Sequence, residues 1–298
     1  MIAPWRTAVF EGAGATLWWD LGTGEDGVDV WDAPRAAGWL DAVPRETARQ
    51  AALDAWREAW WPASRLADVT PLDPRFLVAR RATALAALDG ITDDDTAAER
   101  ALRELAAHIA QQGPLEDAAH PAWPSAEVSA LAERVRELAD DHGVVLDAPA
   151  PAEAPQPEDY ALAARGGPTG GAPLLEGSDP VDPGAVPQGV VDPLGRIAWR
   201  VRLSMTIEVT VPAAPVVGAP PMVPLVAFAL PADGAPGPAA GGLVVSLHRR
   251  GDVWRGEAAV GPDVLARRPR LGLRVPAFTP VPGVDAARLV EIAREVGP

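Results

Sequence analysis

Short runs in which apolar and polar residues alternate open the chain and predict a small β-sheet. The candidate strands cover residues 5–10, 15–20 and 28–31, and glycine-rich turns separate them. The stretch WWDLGTGEDGVDVWD, residues 18–32, carries the second turn. Its glycines spell a literal G-x-G-x-x-G, so the stretch is either a dinucleotide-binding loop or a hairpin turn.

The residues around these glycines favour the hairpin turn. A dinucleotide loop leads directly into a helix, whose N–H groups meet the pyrophosphate. Here the glycines lead into a strand-like run, and Glu25 and Asp26 would bring negative charge towards a phosphate. A calcium loop is disfavoured because the EF-hand spacing of oxygen ligands is absent. We therefore expect Gly22, Gly24 and Gly27 to supply the backbone freedom of a turn.

After residue 33 the apolar period lengthens to between three and four residues, which predicts about four helices. They begin near residues 44, 74, 96 and 125, and breakers or caps at Pro62, Gly90 and Gly143 end three of them. Residues 144–192 follow and are dense in Pro, Gly, Ala and acids. This composition predicts a disordered or extended linker. A docking segment around Tyr160, the only tyrosine, is left open as an alternative to a plain spacer.

The last third of the chain returns to a period of two. Residues 199–211 alternate strictly between apolar and polar side chains, which predicts one long strand with a buried and a wet face. Four further strands are expected at 223–230, 243–248, 252–260 and 270–275, with a hairpin around Gly251. An apolar stripe over residues 284–296 predicts a final helix.

These elements predict an α+β fold in three parts. Residues 1–143 form a Trp-rich α+β domain with a small sheet and about four helices, and residues 144–192 form the acidic linker. Residues 193–298 form an antiparallel β-sandwich or partly open barrel with a C-terminal helix. A length of 298 residues is compatible with two domains.

Composition removes several kinds of chemistry. All 26 basic residues are Arg, and Lys, Asn and Cys are absent, a usage typical of a GC-rich bacterial gene. Without Lys there is no Schiff-base or P-loop lysine. Without Cys there are no disulfides, thiol nucleophiles or cysteine-based zinc sites. The first 14 residues lack a sustained apolar stretch and no apolar run reaches a membrane span, so we expect a cytoplasmic protein without membrane attachment.

The charge is strongly asymmetric. Residues 1–195 hold 14 Arg and 33 acidic residues, whereas residues 196–298 hold 12 Arg and 8 acidic residues, and the net charge is −15. Such an acidic chain is not expected to bind nucleic acid. The basic C-terminal unit could instead bind an acidic protein surface.

Two groups of residues are candidate binding sites. Eight of the 11 tryptophans lie in the first 61 residues, and adjacent pairs cannot all enter one core. An aromatic binding patch, as opposed to a Trp-rich core, would use Trp18, Trp19, Trp31, Trp60 and Trp61. If the strands at 200 and 270 are neighbours, one sheet face would collect Arg200, Arg202, Arg268, Arg270 and Arg274. That face would bind carboxylates, or would merely be solvated.

No catalytic motif is present. The four histidines lack metal-site spacing, no G-x-S-x-G occurs, and Glu104 with His108 at i, i+4 is expected to be a surface contact. No metal or cofactor is predicted. The sequence therefore favours a non-catalytic protein that binds another protein, as an adaptor or accessory subunit. The alternative is a small-ligand-binding or carboxylate-based hydrolytic domain in residues 1–142, with a Trp-lined pocket.

Overall fold

The computed structural model describes residues 3–89, 91, 94, 96–118, 123–146, 173–218, 220–231, 242–262, 266 and 268–298. The predicted linker between residues 147 and 172, with Tyr160, lies outside the described residues. The rest forms an α+β fold with a small sheet and helices in its N-terminal half and a barrel-like sheet in its C-terminal half. The predicted fold class is therefore confirmed.

Three antiparallel strands form the first sheet, in the order β1-β2-β3. They are β1 (Thr7–Gly12), β2 (Ala15–Asp20) and β3 (Asp26–Val30). The β2–β3 hairpin contains the G-x-G-x-x-G stretch, and the carboxylate of Asp20 accepts hydrogen bonds from the N–H groups of Gly22 and Thr23. Gly24 has φ +75° in this turn. The motif is a hairpin turn, as predicted.

Gly27 has a different role from the one expected for it. It lies within β3, opposite Trp18, and a Cβ added there would be 2.4 Å from the Trp18 ring. The indole therefore lies across the bare backbone of Gly27, and any larger residue would displace it. The third glycine of the stretch gives space to a ring and is not part of the turn.

Five helices accompany this sheet within the described N-terminal residues. They are α1 (Ala33–Ala42), α2 (Arg45–Trp60), α3 (Pro74–Ala86), α4 (Ala97–Gln112) and α5 (Ser125–Asp141). Asp32 and Asp73 cap the first turns of α1 and α3 with their carboxylates. The inward face of the sheet and the apolar helix faces share one core.

Two buried arginines tie helix ends to this core. Arg75 pairs with the fully buried Asp73 at 2.7 Å and donates to three consecutive carbonyls, 112–114, at the end of α4. Arg57 pairs with the fully buried Asp54 at 2.7 Å and donates to the carbonyls of residues 296 and 297. A planar guanidinium suits this role because it directs several N–H groups at once, whereas lysine offers one point charge.

The second sheet has seven strands in the order β10-β7-β8-β9-β6-β5-β4. Their bounds are β4 (Leu175–Pro180), β5 (Arg196–Val201), β6 (Thr206–Pro212), β7 (Leu225–Ala229), β8 (Val244–Arg250), β9 (Val253–Ala259) and β10 (Leu271–Arg274). Every ladder is antiparallel, and the predicted hairpin at Gly251 joins β8 and β9. Across the seam, the N–H of Leu271 donates to Asp179 at 2.9 Å, which nearly closes the barrel.

The structure differs from two strand predictions. The long strand predicted for residues 199–211 is a hairpin, in which β5 and β6 are joined by a turn at 202–205 with Met205 at φ +57°. The turn contains an even number of residues, so the inward-facing positions of β5 and β6 keep the same spacing of two. The alternation of apolar and polar residues therefore continues through the turn. In addition, β4 lies inside the stretch expected to be linker, where Val181, Val186 and Val190 are buried in the second core.

Several contacts among the described residues join the two halves of the chain, including an exposed ion pair of Arg65 with Asp252. The final helix, α6 (Ala286–Val296), packs its buried face into the N-terminal core, although the sequence grouped it with the β unit. The carboxylate of Asp192, on the barrel side, accepts hydrogen bonds from Ser64 Oγ at 2.8 Å and Arg65 N at 3.0 Å. Asp192 and Ser64 are both buried, so this contact is an internal joint.

Candidate functional site

The five candidate tryptophans do not form one patch. Trp61 is buried and donates its indole N–H to a backbone carbonyl, and Trp19 and Trp60 pack half-buried against the N-terminal core. Trp18 is half-buried on the opposite face of the first sheet. Trp31 is 60% exposed directly after β3. The neighbouring rings point in opposite directions because adjacent strand residues face opposite sides.

The predicted Trp-lined pocket is not observed among the described cavities. Trp5, Trp39 and Trp56 are buried in the core, where Trp39 stacks on Phe10 and the Trp56 indole donates to the carbonyl of Trp5. No tryptophan lines the groove described below or the smaller cavity of about 200 Å³ between α4 and α5. The N-terminal tryptophans serve mainly as packing.

The candidate arginines of the barrel are also not assembled into one open surface. Strands β5 and β10 are not neighbours, because β4 lies between them at the seam. Arg200 and Arg202 both pair with Glu208 on β6. Their charge is therefore partly met within the sheet.

The remaining three arginines are dispersed around β10. Arg270 lies 3.9 Å from the Asp179 carboxylate, and the Arg274 guanidinium lies over the Phe228 ring at 5.8 Å from its centroid. Arg268 is exposed just before the strand. An acidic partner for this unit stays a prediction, without a shared guanidinium surface to support it.

The structure instead contains a groove of about 490 Å³ beside the first sheet, within the range of ligand sites. We call it the β1-edge groove. It is lined by residues of β1, α2, α3 and α4, namely Val9, Phe10, Glu11, Ala51, Ala52, Ala55, Arg81, Leu85, Ala97, Arg100, Arg103 and Glu104. Three consecutive β1 residues contribute although their side chains alternate between faces. The groove therefore runs along the backbone edge of the strand.

Hydrogen-bond parity shows which β1 backbone groups face this groove. The N–H of Leu21 donates to the carbonyl of Arg6, so residues 6, 8, 10 and 12 bond to β2. The N–H and C=O groups of Val9 and Glu11 then point away from β2. Within the described residues β1 pairs with β2 alone, so these groups form an open edge. Such an edge can pair with another extended chain.

The groove has a small-residue floor and a charged rim. Ala51 and Ala55 lie one turn apart on α2 and leave room beside Phe10, whose side chain packs into the core. On the rim, Arg81 bridges two carboxylates, with Nε 3.0 Å from Glu58 and Nη2 2.6 Å from Glu104. The predicted Glu104–His108 contact is present but long, at 4.0 Å.

Glu58 lies one helical turn beyond Ala55 on the same α2 face. Burial raises the pKa of its carboxyl to about 7, and the nearby Arg81 opposes the shift only in part. A half-protonated carboxyl next to a groove is a common feature of functional sites. Burial alone also accounts for the raised pKa, so it does not assign a reaction.

Sequence reasoning did not identify the β1-edge groove. The alanines of α2 resemble ordinary core positions, and the arginines of α4 resemble a solvated helix face. An open strand edge has no sequence signature, because it depends on which elements pack beside the strand. The exposure of Val9 is known only from the structure, and a single exposed valine is common in any case.

The fold and groove together define a two-part α+β protein with an open strand edge over a small-residue floor. Comparison with protein-family models, curated proteins and solved structures gave no significant match. Among the described residues no helix is long and apolar enough to cross a membrane. No group of three or more His, Asp or Glu residues in the described ranges could hold a metal ion.

Proposed function

We propose that this protein is a non-catalytic bacterial adaptor or accessory protein of the cytoplasm, which binds an extended segment of a partner protein in the β1-edge groove. The segment adds as a fourth strand next to β1. Backbone hydrogen bonds to Val9 and Glu11 supply the affinity, and the groove walls select the side chains.

One observation carries this proposal: three consecutive residues of an unpaired edge strand line a groove large enough for a ligand. Natural sheets usually protect such edges with charge, proline or a covering element. Here the edge carries a single exposed charge, Glu11, beside Val9, which is 42% exposed, and residues of α2 and α4 line a groove next to it. The contrast between an acidic N-terminal part and a basic C-terminal part also suits a protein that joins others.

A proline substitution tests strand addition directly. Val9→Pro removes an N–H that β2 does not use, so we expect the hairpin to remain while the edge loses a donor. Val30→Pro is the matched control, because Val30 is similarly exposed and its N–H points outward from the opposite edge, on β3. The probe is a displayed library of random 12-residue peptides, selected on the wild-type protein.

Peptides that bind wild type and Val30→Pro but lose at least tenfold affinity for Val9→Pro are the expected result. Circular dichroism and thermal unfolding of both variants must first show an intact fold. Selected peptides that bind all three proteins equally would place the interaction elsewhere. A library that yields no binder sensitive to Val9→Pro would refute strand addition.

A second function, carboxylate-based hydrolysis, is favoured by one feature. Glu58 has its pKa raised to about 7, and Glu104 lies on the other side of the shared Arg81, so an acid and a base stand close together. A panel of chromogenic glycosides and esters tests it. Hydrolysis that Glu58→Gln abolishes, while Glu127→Gln on α5 does not, would support an enzyme over an adaptor.

A further inference from the structure

We infer that the segment bound in the β1-edge groove carries a positively charged side chain that pairs with Glu11. This inference rests on the proposed function and names the chemistry of the partner. It follows from the charges around the groove, from the strand geometry at Glu11 and from the charge of the whole chain.

The arginines at the groove are already paired. Besides Arg81, which has two carboxylate partners, Arg100 pairs with Asp94 and Arg103 pairs with Glu99. Hydrogen bonds from Arg100 and then Thr96 lower the pKa of Asp94 to about 2, so its charge persists at neutral pH. The rim therefore offers no unpaired cation to an acidic guest.

Glu11 is the exception among the charged residues that line the groove. It is exposed, and it makes no ion pair with any residue that the structure describes. Its own backbone N–H and C=O belong to the open edge. A guest that pairs with the edge would therefore bring one of its side chains directly beside this carboxylate.

Strand pairing fixes which guest residue that is. Residues directly opposite one another on neighbouring strands share a face, so the guest residue opposite Glu11 points the same way as its carboxylate. The residue opposite Phe10 points inward, where the short side chains of Ala51 and Ala55 leave room for it. The residue opposite Val9 lies on the outer face and pairs with an apolar side chain. The expected guest triplet thus has an apolar residue opposite Val9, an inward-facing residue opposite Phe10 and a basic residue opposite Glu11, in either chain direction.

The overall charge also favours a basic guest. The chain has a net charge of −15, and residues 1–195 hold 33 acidic residues against 14 Arg. A field of this sign accelerates the approach of a positively charged segment at low salt. This partner differs from the acidic surface expected for the barrel arginines, which lie outside the groove.

A charge-swap experiment tests the pairing. Peptides from the selection above are remade with Arg, Gln or Glu at the basic position and titrated against wild type, Glu11→Gln and Glu11→Lys. We expect Glu11→Gln to weaken the Arg peptide about two- to fivefold, the effect of a cross-strand ion pair. Glu11→Lys should weaken it at least tenfold and should prefer the Glu peptide. Glu25→Lys, an exposed change in the β2–β3 turn, controls for net charge.

The outcomes separate this inference from the proposed function. Groove-binding peptides that lack Arg and Lys, or that ignore Glu11→Lys as they ignore Glu25→Lys, overturn the basic guest and leave strand addition intact. A selection without peptides sensitive to Val9→Pro overturns both. A dimer in sedimentation experiments that Val9→Pro dissociates assigns the edge to a second copy of this chain, and also overturns the inference.

Discussion

Substitution of Asp192 tests how the two halves of the molecule are joined. Its Oδ1 accepts from Ser64 Oγ at 2.8 Å and Leu194 N at 3.1 Å, and its Oδ2 accepts from Arg65 N at 3.0 Å and Leu66 N at 3.4 Å. Asp192→Ala leaves these donors around a buried cavity. Hydrogen bonds to a charged acceptor contribute about 1.5–3 kcal/mol each, and partial rehydration limits the total to about 3–5 kcal/mol.

Two milder variants give the expected order of effects. In Asp192→Asn the amide can occupy the Oδ1 position, where Ser64 Oγ can accept from it and the Leu194 bond is lost. The carbonyl then keeps both remaining donors, so we expect a loss of about 1–2 kcal/mol. Ser64→Ala removes the hydrogen bond to the Asp192 carboxylate and also the acceptor of Ala67 N, and it should cost about 1.5–3 kcal/mol.

Urea unfolding gives the free energy of unfolding of each variant, and calorimetry shows whether the halves still unfold together. We expect Asp192→Ala to divide a single transition into two, because the ion pair that remains beside this joint, Arg65 with Asp252, is exposed and therefore weak. A loss below about 1 kcal/mol in Asp192→Ala, with one unchanged transition, would show that the joint does not couple the halves.

Three further predictions concern the N-terminal half. Arg57→Lys should lower the free energy of unfolding by about 2–4 kcal/mol and speed hydrogen exchange in α6, because one ammonium cannot replace the guanidinium bonds. Gly27→Ala should lower the free energy of unfolding by about 1–3 kcal/mol, because the added methyl displaces the Trp18 ring. Gly38→Ala in α1, where the methyl meets open space, should raise it by about 0.5–1 kcal/mol. Thermal unfolding measures both changes. In the folded state the pKa of Glu58 is about 7, above its ordinary value of 4.5, so between these pH values the folded protein binds a proton that the unfolded chain releases. The free energy of unfolding should therefore fall as the pH rises from 4.5 to about 7. Urea unfolding at pH 5, 6, 7 and 8 measures this slope, which Glu58→Gln should flatten.

The local sequence pattern correctly predicted those strands and turns whose structure depends only on neighbouring residues. The strand at Ala15–Asp20 and the hairpins around Gly24 and Gly251 lie where the sequence predicted them, because turn residues and a period of two act over a few positions. The hairpin at 202–205 was missed for the same reason. An even turn preserves the alternation, so the pattern of residues 199–211 reads as one strand.

Pairings between distant segments could not be predicted. The barrel seam brings Asp179 to Leu271, which are 92 residues apart, and the α6 cap brings Arg57 to Gly297, which are 240 residues apart. Neither pair has a local signal. The separation of the candidate arginines could not be predicted either. It depends on β4, and the composition around β4 had predicted a linker and not a strand.

The sequence by itself determined the α+β class, the absence of lysine and thiol chemistry, and a charge of −15, because these depend only on residue type and short periodicity. Tertiary structure alone decided that, among the described residues, β1 keeps an open edge, the alanines of α2 line the floor of a groove beside it, and Glu11 makes no ion pair there. The physical reason is that an edge, a cavity and an unpaired charge are defined by what packs next to a segment. Residues far apart in the chain set that environment, and no local pattern encodes it.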